Sequence, residues 1–120
     1  MKIAVSAKGK TLDSELDARF GRAGYFIVVD PDTLSYEVVE NTQNLNAPQG
    51  AGIQAAKTVA DQGVSAVLTG NCGPKAFAVL EQAGISVVTG LSGTVKEAVG
   101  QHQKGGLSAA NGPNVNGHWV

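Results

Sequence analysis

Cysteine, aromatic residues and an excess of charge of one sign are all scarce in this 120-residue chain. Its one cysteine, Cys72, cannot form an internal disulfide, and a protein-ligated iron–sulfur cluster usually needs about four cysteine ligands. A conventional ferredoxin is therefore excluded. The formal charge of -1 creates no overall field for nucleic acid or for an anionic membrane. Any anion site must therefore be a local arrangement of charges and backbone donors.

Long apolar segments are absent as well. The amino terminus has no basic segment followed by an apolar stretch, and no later run approaches the length of a membrane span. We therefore expect a cytoplasmic protein with neither a nucleic-acid nor a membrane partner. Hydrophobic residues make up 42% of the chain, which also has 16 glycines. With only 5% aromatics, this composition predicts one globular domain whose core consists of Ala, Val, Ile and Leu.

Hydrophobic patterning predicts a hairpin followed by alternating helices and buried strands. Strands are expected at residues 2–6, 25–30, 35–40, 64–69 and 85–88, and helices at 51–62, from 74 onward and at 94–101. This order predicts an α/β fold with a mixed, mostly parallel sheet of about five strands and helices on both faces. Residues 1–104 form the predicted domain, and residues 105–120, rich in Gly, Asn and Ser, a flexible tail.

The predicted topology gathers several loops at one edge of the sheet. If only the second strand is antiparallel, that edge collects the segments that follow Ser6, Asn41, Thr69 and Val88 and the segment that precedes Tyr25. Open α/β sheets bind ligands at such an edge. Functional residues are therefore expected in these loops.

The segment Gly70–Pro74, with sequence GNCGP, leads from a buried strand directly into a helix. Glycines allow close approach of a ligand, Pro74 suits the first helical turn, and the N–H groups there favour an anion. A thiol at a helix amino terminus has a lowered pKa, as a metal ligand requires, and we expect this of Cys72. The alternative is that Cys72 is a small residue in a tight turn.

Two arginines, Arg19 and Arg22, flank Phe20 and Gly21 just before the second strand. Their guanidinium groups can clamp an anion, since arginine offers directed donors and stays charged. Nearby Lys8, Lys10 and Lys75 add positive potential, and Asp13, Glu15 and Asp17 oppose it. The alternative is a pair of solvated surface arginines.

Other features carry weaker signals. Gly50 and Gly52 lead into the first helix, so their backbone donors are a further candidate anion contact. In the loop at residues 89–93, Ser92 is predicted to cap the third helix. The two histidines, His102 and His118, form no recognisable metal motif, and no phosphate-binding loop, GxSxG motif or paired-carboxylate spacing is present. Catalysis is not indicated.

Four motifs in chain order resemble the dinitrogenase iron–molybdenum cofactor biosynthesis family over about residues 1–102. They are RFGRA at 19–23 with YF at 25–26, GAG at 50–52, GNCGPKA at 70–76 and AGI at 83–85. The resemblance implies a ribonuclease-H-like α/β domain that carries metal–sulfur cofactors. The solitary cysteine and short length resemble the Orange Protein branch, which holds a mixed molybdenum–copper sulfide cluster non-covalently. Many relatives have a histidine where this chain has Gln49, which removes one possible ligand.

The resemblance therefore implies a non-covalent carrier of an anionic metal–sulfur cluster, not an enzyme. An anionic cluster brings its own sulfide ligands, so the protein need supply only N–H donors, cations and shelter. Two alternatives stay open: an adaptor module that works with MinD-like ATPases, and a phosphate- or nucleotide-binding domain. The candidate site residues, with Cys72 as the candidate metal ligand, are Arg19, Phe20, Gly21, Arg22, Gly50, Gly52, Gly70, Asn71, Cys72, Gly73 and Pro74.

Overall fold

Five strands form one mixed sheet within the residues that the computed structural model describes, which are 2–41, 51–105, 109, 110 and 112. They are β1 (Ile3–Ala7), β2 (Tyr25–Val29), β3 (Tyr36–Glu40), β4 (Ala66–Leu68) and β5 (Ser86–Val88). Their spatial order is β3-β2-β1-β4-β5. β2 pairs antiparallel with both β1 and β3, whereas β1, β4 and β5 pair in parallel. The predicted orientation, with only β2 reversed, is confirmed.

The burial of each strand follows its place in the sheet. β1 lies at the centre, and all five of its residues are buried, including Ser6. β3 lies at an edge, and its residues are exposed or half-buried because only β2 flanks it. Glu37 and Glu40 place charge on this edge strand, which is a common protection against pairing with another chain.

Helices cover both faces of the sheet. They are α1 (Ala51–Ala60), α2 (Pro74–Gln82) and α3 (Val95–Gln103). Ala4 of β1 faces the layer formed by α1 and α2, and its neighbours Ile3 and Val5 face α3, because successive strand residues point to opposite faces. None of the helices in the described ranges combines the length and apolar character needed to span a bilayer. The predicted fold class is confirmed.

Most element ends lie within one or two residues of the predicted ones. β4 is shorter than the predicted strand at 64–69, and α1 ends at Ala60 rather than at residue 62. Gly84 follows the C-cap residue of α2 and has a φ of 75°, a left-handed conformation that favours glycine. These differences do not alter the order of elements.

The predicted helix cap at Ser92 is wrong, because α3 begins two residues later. Thr94 is the N-cap: its hydroxyl accepts a hydrogen bond from the Glu97 backbone N–H (3.1 Å), and the Glu97 carboxylate accepts one from the Thr94 N–H (2.8 Å). This reciprocal arrangement satisfies two backbone donors together. Gly93, with a φ of 92°, separates Ser92 from the cap.

Part of the predicted tail contacts the domain. The Ala110 N–H donates a hydrogen bond to the Val87 carbonyl of β5 (2.7 Å), and Ala110 packs against the core on the α1 and α2 face. The described tail residues are limited to Gly105, Ala109, Ala110 and Gly112. A flexible tail over residues 105–120 stays a prediction, and at Ala110 the chain follows the free edge of β5.

Replacing Thr94 with alanine should destabilise the domain by about 1 kcal/mol, since the N-cap hydroxyl accepts the Glu97 backbone N–H and alanine removes that acceptor. Urea unfolding followed by circular dichroism measures the change. The matched control is Ser92→Ala, which should change the free energy of unfolding by less than about 0.5 kcal/mol. Equal losses in the two variants would contradict the assignment of the cap.

Candidate anion-binding site

Backbone hydrogen bonds join the loops at the carboxyl ends of the parallel strands. The Phe20 N–H donates to the Asn71 carbonyl (3.2 Å), and Arg19 forms an isolated bridge with Asn71. The Gly90 N–H donates to the Gly70 carbonyl (2.7 Å). Residues 19–22, 70–74 and 89–93 are therefore neighbours, as the predicted topology required.

Gly70 is needed at this edge for packing. A Cβ atom built on Gly70 would lie 2.7 Å from the Ala18 Cα and 3.0 Å from the Ala18 carbonyl oxygen, distances too short for any side chain. The sequence interpretation assigned this glycine to the approach of a ligand. In the structure the close neighbour of Gly70 is the chain itself, at the segment that carries Arg19.

A buried hydrogen-bond network at the ends of β1 and β4 holds the loops in place. The Ser6 hydroxyl at the end of β1 donates to the Asp17 carbonyl (2.7 Å). It also lies 2.7 Å from the Thr69 hydroxyl, which must supply the proton of that second bond. The Asp17 N–H donates to the Ser6 carbonyl (2.8 Å). Ser6 therefore attaches the Asp17 loop to β1, and its bond with Thr69 connects this anchor to the end of the adjacent parallel strand β4.

A second buried anchor is Asn41, which follows β3. Its side-chain amide donates to the carbonyls of Gly21 (3.2 Å) and Ala23 (2.9 Å), and its backbone N–H donates to the Gly24 carbonyl (3.0 Å). Asn41 thereby holds the segment that carries both arginines. Sequence reasoning did not assign structural roles to Ser6, Asn41 or Thr69; the available signal was a polar residue at the end of each apolar strand.

The cationic side chains differ in their surroundings. Arg19 is half exposed, with its Nε 3.9 Å from an Asp17 carboxylate oxygen, and Arg22 is half-buried. The Lys8 ammonium lies 3.3 Å from the Glu15 carboxylate, so an acidic partner already opposes its charge. Arg19 and Arg22 belong to one of the joined loops, residues 19–22.

Two other predicted residues belong to the start of α2. Gly73 is the N-cap and Pro74 the first helical residue. Gly73 offers no side-chain cap, so the N–H groups of the first turn of α2 receive no hydrogen bond from it. No acidic residue lies in that turn. This end of the helix therefore has the polarity that favours an anion.

The glycines before α1 are only partly described. Gly52 lies in the first turn of α1 and is buried. Gly50, together with the neighbouring Gln49, lies outside the described residues. The contact predicted at Gly50 stays a prediction.

The expected lowering of the Cys72 pKa is wrong. Cys72 is fully buried, and desolvation raises the pKa of its thiol from 9.0 to about 12. The side chain lies in the core on the α1 and α2 face, which also contains Phe20 and Phe26, whose ring centroids are 5.1 Å apart. The cost of burying a thiolate therefore outweighs the favourable end of α2. The predicted role of Cys72 as a metal ligand stays a prediction.

The fold and the edge geometry define a small α/β domain with glycine-rich and arginine-bearing loops at the carboxyl ends of its parallel strands. Over residues 1–105 the chain matches the family model described as dinitrogenase iron-molybdenum cofactor. The chain belongs to this family, and the resemblance predicted from its motifs is confirmed.

Similar proteins include two of known structure that cover nearly the whole chain and one further sequence that covers most of it. The apo form of the orange protein from Desulfovibrio gigas is 45% identical, with a TM-score of 0.92, over 95% of this chain and 96% of that one. A structure from Thermotoga, assigned provisionally as a NifB protein, is 34% identical with a TM-score of 0.82 over 97% and 98% of the two chains. An uncharacterized Methanocaldococcus jannaschii protein, MJ0580, is 32% identical over 82% of each chain.

The Cys72 thiol should react slowly with iodoacetamide at pH 8 in the folded protein. A pKa raised to about 12 reduces the thiolate population about thousandfold relative to an ordinary thiol, and burial restricts access further. Mass spectrometry of the alkylated chain measures the rate. The control is the same chain in guanidinium chloride, which should react at least about a hundredfold faster. Similar rates in both states would contradict the buried, neutral thiol.

Proposed function

We propose that this protein binds and carries an anionic metal–sulfur cluster, a mixed molybdenum–copper sulfide, without covalent attachment. The observation that carries the proposal is the hydrogen bond between Phe20 and Asn71, which joins the arginine segment to the loop before α2. Through this contact, the segment that carries Arg19 and Arg22 and the amino-terminal end of α2 lie at the same edge of the sheet. Both kinds of group favour an anion.

The chemistry of the cargo suits this set of groups. A thiomolybdate–copper cluster carries its own sulfide ligands, so its protein site needs charge-assisted donors more than a cage of side-chain ligands. In the ranges that the structure describes, no group of three or more His, Cys, Asp or Glu residues is placed to hold a metal ion. Non-covalent capture of a preformed cluster is consistent with these surroundings.

The relatives support the same assignment. The description of the family names the iron-molybdenum cofactor of dinitrogenase. The structure of the orange protein from Desulfovibrio gigas is that of its apo form. An apo form is by definition one without its ligand, so the words used for this relative imply that it has a ligand. The molybdenum–copper composition of the cargo in this chain is part of our proposal.

The test is anaerobic loading with tetrathiomolybdate and Cu(I), followed by visible absorbance and metal analysis. Replacing both Arg19 and Arg22 with glutamine should raise the dissociation constant about tenfold at low salt, because well-placed charge-assisted bonds are lost. The effect should shrink at moderate salt, since Arg19 is half exposed and screened.

The matched control is the double variant Lys8→Gln with Lys10→Gln, which removes the same amount of charge. Its dissociation constant should rise no more than about threefold, because Glu15 opposes Lys8 and the Lys10 ammonium lies 5.5 Å from the centre of the Tyr25 ring. Equal affinities for the arginine variant and the parent would reject the site, and a parent that takes up no metal would reject the function.

The same assay separates the phosphate-binding alternative, because helix amino termini also bind phosphate. Inorganic phosphate or ATP in equal concentration with tetrathiomolybdate should leave loading unchanged if the site is adapted to a sulfide cluster. Displacement by phosphate would favour the nucleotide-binding alternative. The predicted MinD-like ATPase partner stays a prediction.

Cys72 is the candidate metal ligand of this proposal, and Cys72→Ala should form the copper-containing cluster less completely. Cu(I) prefers thiolate ligands, and coordination can deprotonate a thiol whose pKa is otherwise high. Because the thiol is buried in the same core cluster as Phe20, coordination also requires this packing to open. Spectra recorded after loading compare the variant with the parent, and thermal unfolding confirms that it folds. Unchanged affinity and spectrum would make Cys72 a packing residue.

A further inference from the structure

Asp17 is the one buried charged side chain in the described ranges, and only 6% of its surface is exposed. It lies in the same loop as Arg19, between the ends of β1 and β4. A negative charge at this place is unexpected beside a proposed anion site, because it opposes the cargo. Burying it also carries a desolvation cost unless hydrogen bonds and opposite charge offset that cost.

The contacts of Asp17 show what holds its carboxylate in place. One oxygen accepts a hydrogen bond from the Arg19 backbone N–H (3.0 Å) and lies 3.9 Å from the Arg19 Nε. The Asp17 peptide group is held from the other side by its two hydrogen bonds with Ser6. Asp17 is therefore fixed in position, and its charge acts on the guanidinium that we assign to the cargo.

We propose that Asp17 is a positioning residue that limits how tightly the site holds its anion, so that the cargo can be released. Its carboxylate restrains the Arg19 guanidinium and repels a multiply charged cluster at the same time. This inference rests on the proposed function, which it extends from binding to release. Support of the loop alone would need only an acceptor for the Arg19 N–H, and a neutral side chain could supply it.

Asp17 can have two roles, and they predict opposite changes in the affinity for the anion when its charge is removed. If it only supports the loop, its substitution weakens binding, because Arg19 loses its placement. If it opposes the anion, removing its charge strengthens binding, since repulsion is lost and the guanidinium is released. The substitution Asp17→Asn separates them because asparagine keeps an oxygen that accepts the Arg19 N–H.

The experiment titrates tetrathiomolybdate alone into the parent chain and into Asp17→Asn, followed by visible absorbance. We expect the dissociation constant to fall about five- to tenfold at low salt, and less at moderate salt, as expected for one charge acting on a dianion at short range. The matched control is Glu15→Gln, which removes a carboxylate from the same segment. Glu15 is 71% exposed in its side chain and should change the constant less than about twofold.

Two further measurements keep the proposal falsifiable. In the Arg19→Gln background, Asp17→Asn should gain less affinity than in the parent, because part of its effect passes through Arg19. If Asp17→Asn does not fold, Asp17→Ser, whose hydroxyl also accepts the local N–H, replaces it in every comparison. Unchanged or weaker binding by the folded variant overturns the inference and leaves the proposed function standing.

A readout without ligand separates this inference from the proposed function. Proton exchange at the Arg19 Nε–H, measured by NMR, should accelerate in Asp17→Asn because the nearby carboxylate charge is lost. If the parent takes up neither tetrathiomolybdate alone nor tetrathiomolybdate with Cu(I), the proposed function fails, and the release role of Asp17 fails with it. Equal exchange rates in parent and variant overturn the restraint of Arg19 whether or not the cargo binds.

Discussion

The hydrogen bond from the Phe20 N–H to the Asn71 carbonyl joins two segments that lie 51 positions apart in the chain. On one side of this bond Arg19 remains half exposed at the sheet edge. On the other side Phe20 enters the core, where its ring lies against Phe26 and in the same cluster as Cys72. This backbone contact therefore fixes the segment at which the chain passes from the exposed Arg19 to the buried Phe20. The candidate site depends on it, because it holds Arg19 at the edge of the sheet.

The contact is possible because the parallel pairing of β1 and β4 brings the ends of these strands together. Ser6 and Thr69, one from each strand end, meet through their hydroxyls and hold the Asp17 loop above them. Gly70 has no side chain, so the Ala18 backbone can pack directly against it. The edge is therefore a packed and hydrogen-bonded platform, and its charged groups are presented from fixed positions.

Several features of this molecule could be predicted from local patterns. The continuous apolar run in β4 predicted a strand buried on both faces, and Pro74 after a glycine predicted the start of α2. Thr94 could also have been recognised as a cap, since Glu97 follows it by three residues, as in a capping box. Ser92 has no such partner, because Val95 stands three residues after it, and the preference for serine at N-cap positions was the misleading signal.

The amino-acid sequence alone determined the order of strands and helices, the reversal of β2, the family and the edge at which the loops meet. These follow from hydrophobic period, turn residues and chain connectivity, which are local properties or follow from general rules of sheet topology. Only the tertiary structure decided the state of Cys72 and the neighbours of Gly70 and Asp17. Burial and distance between remote segments set the desolvation and the pairing of charges, and neither quantity is encoded in the residues next to these positions.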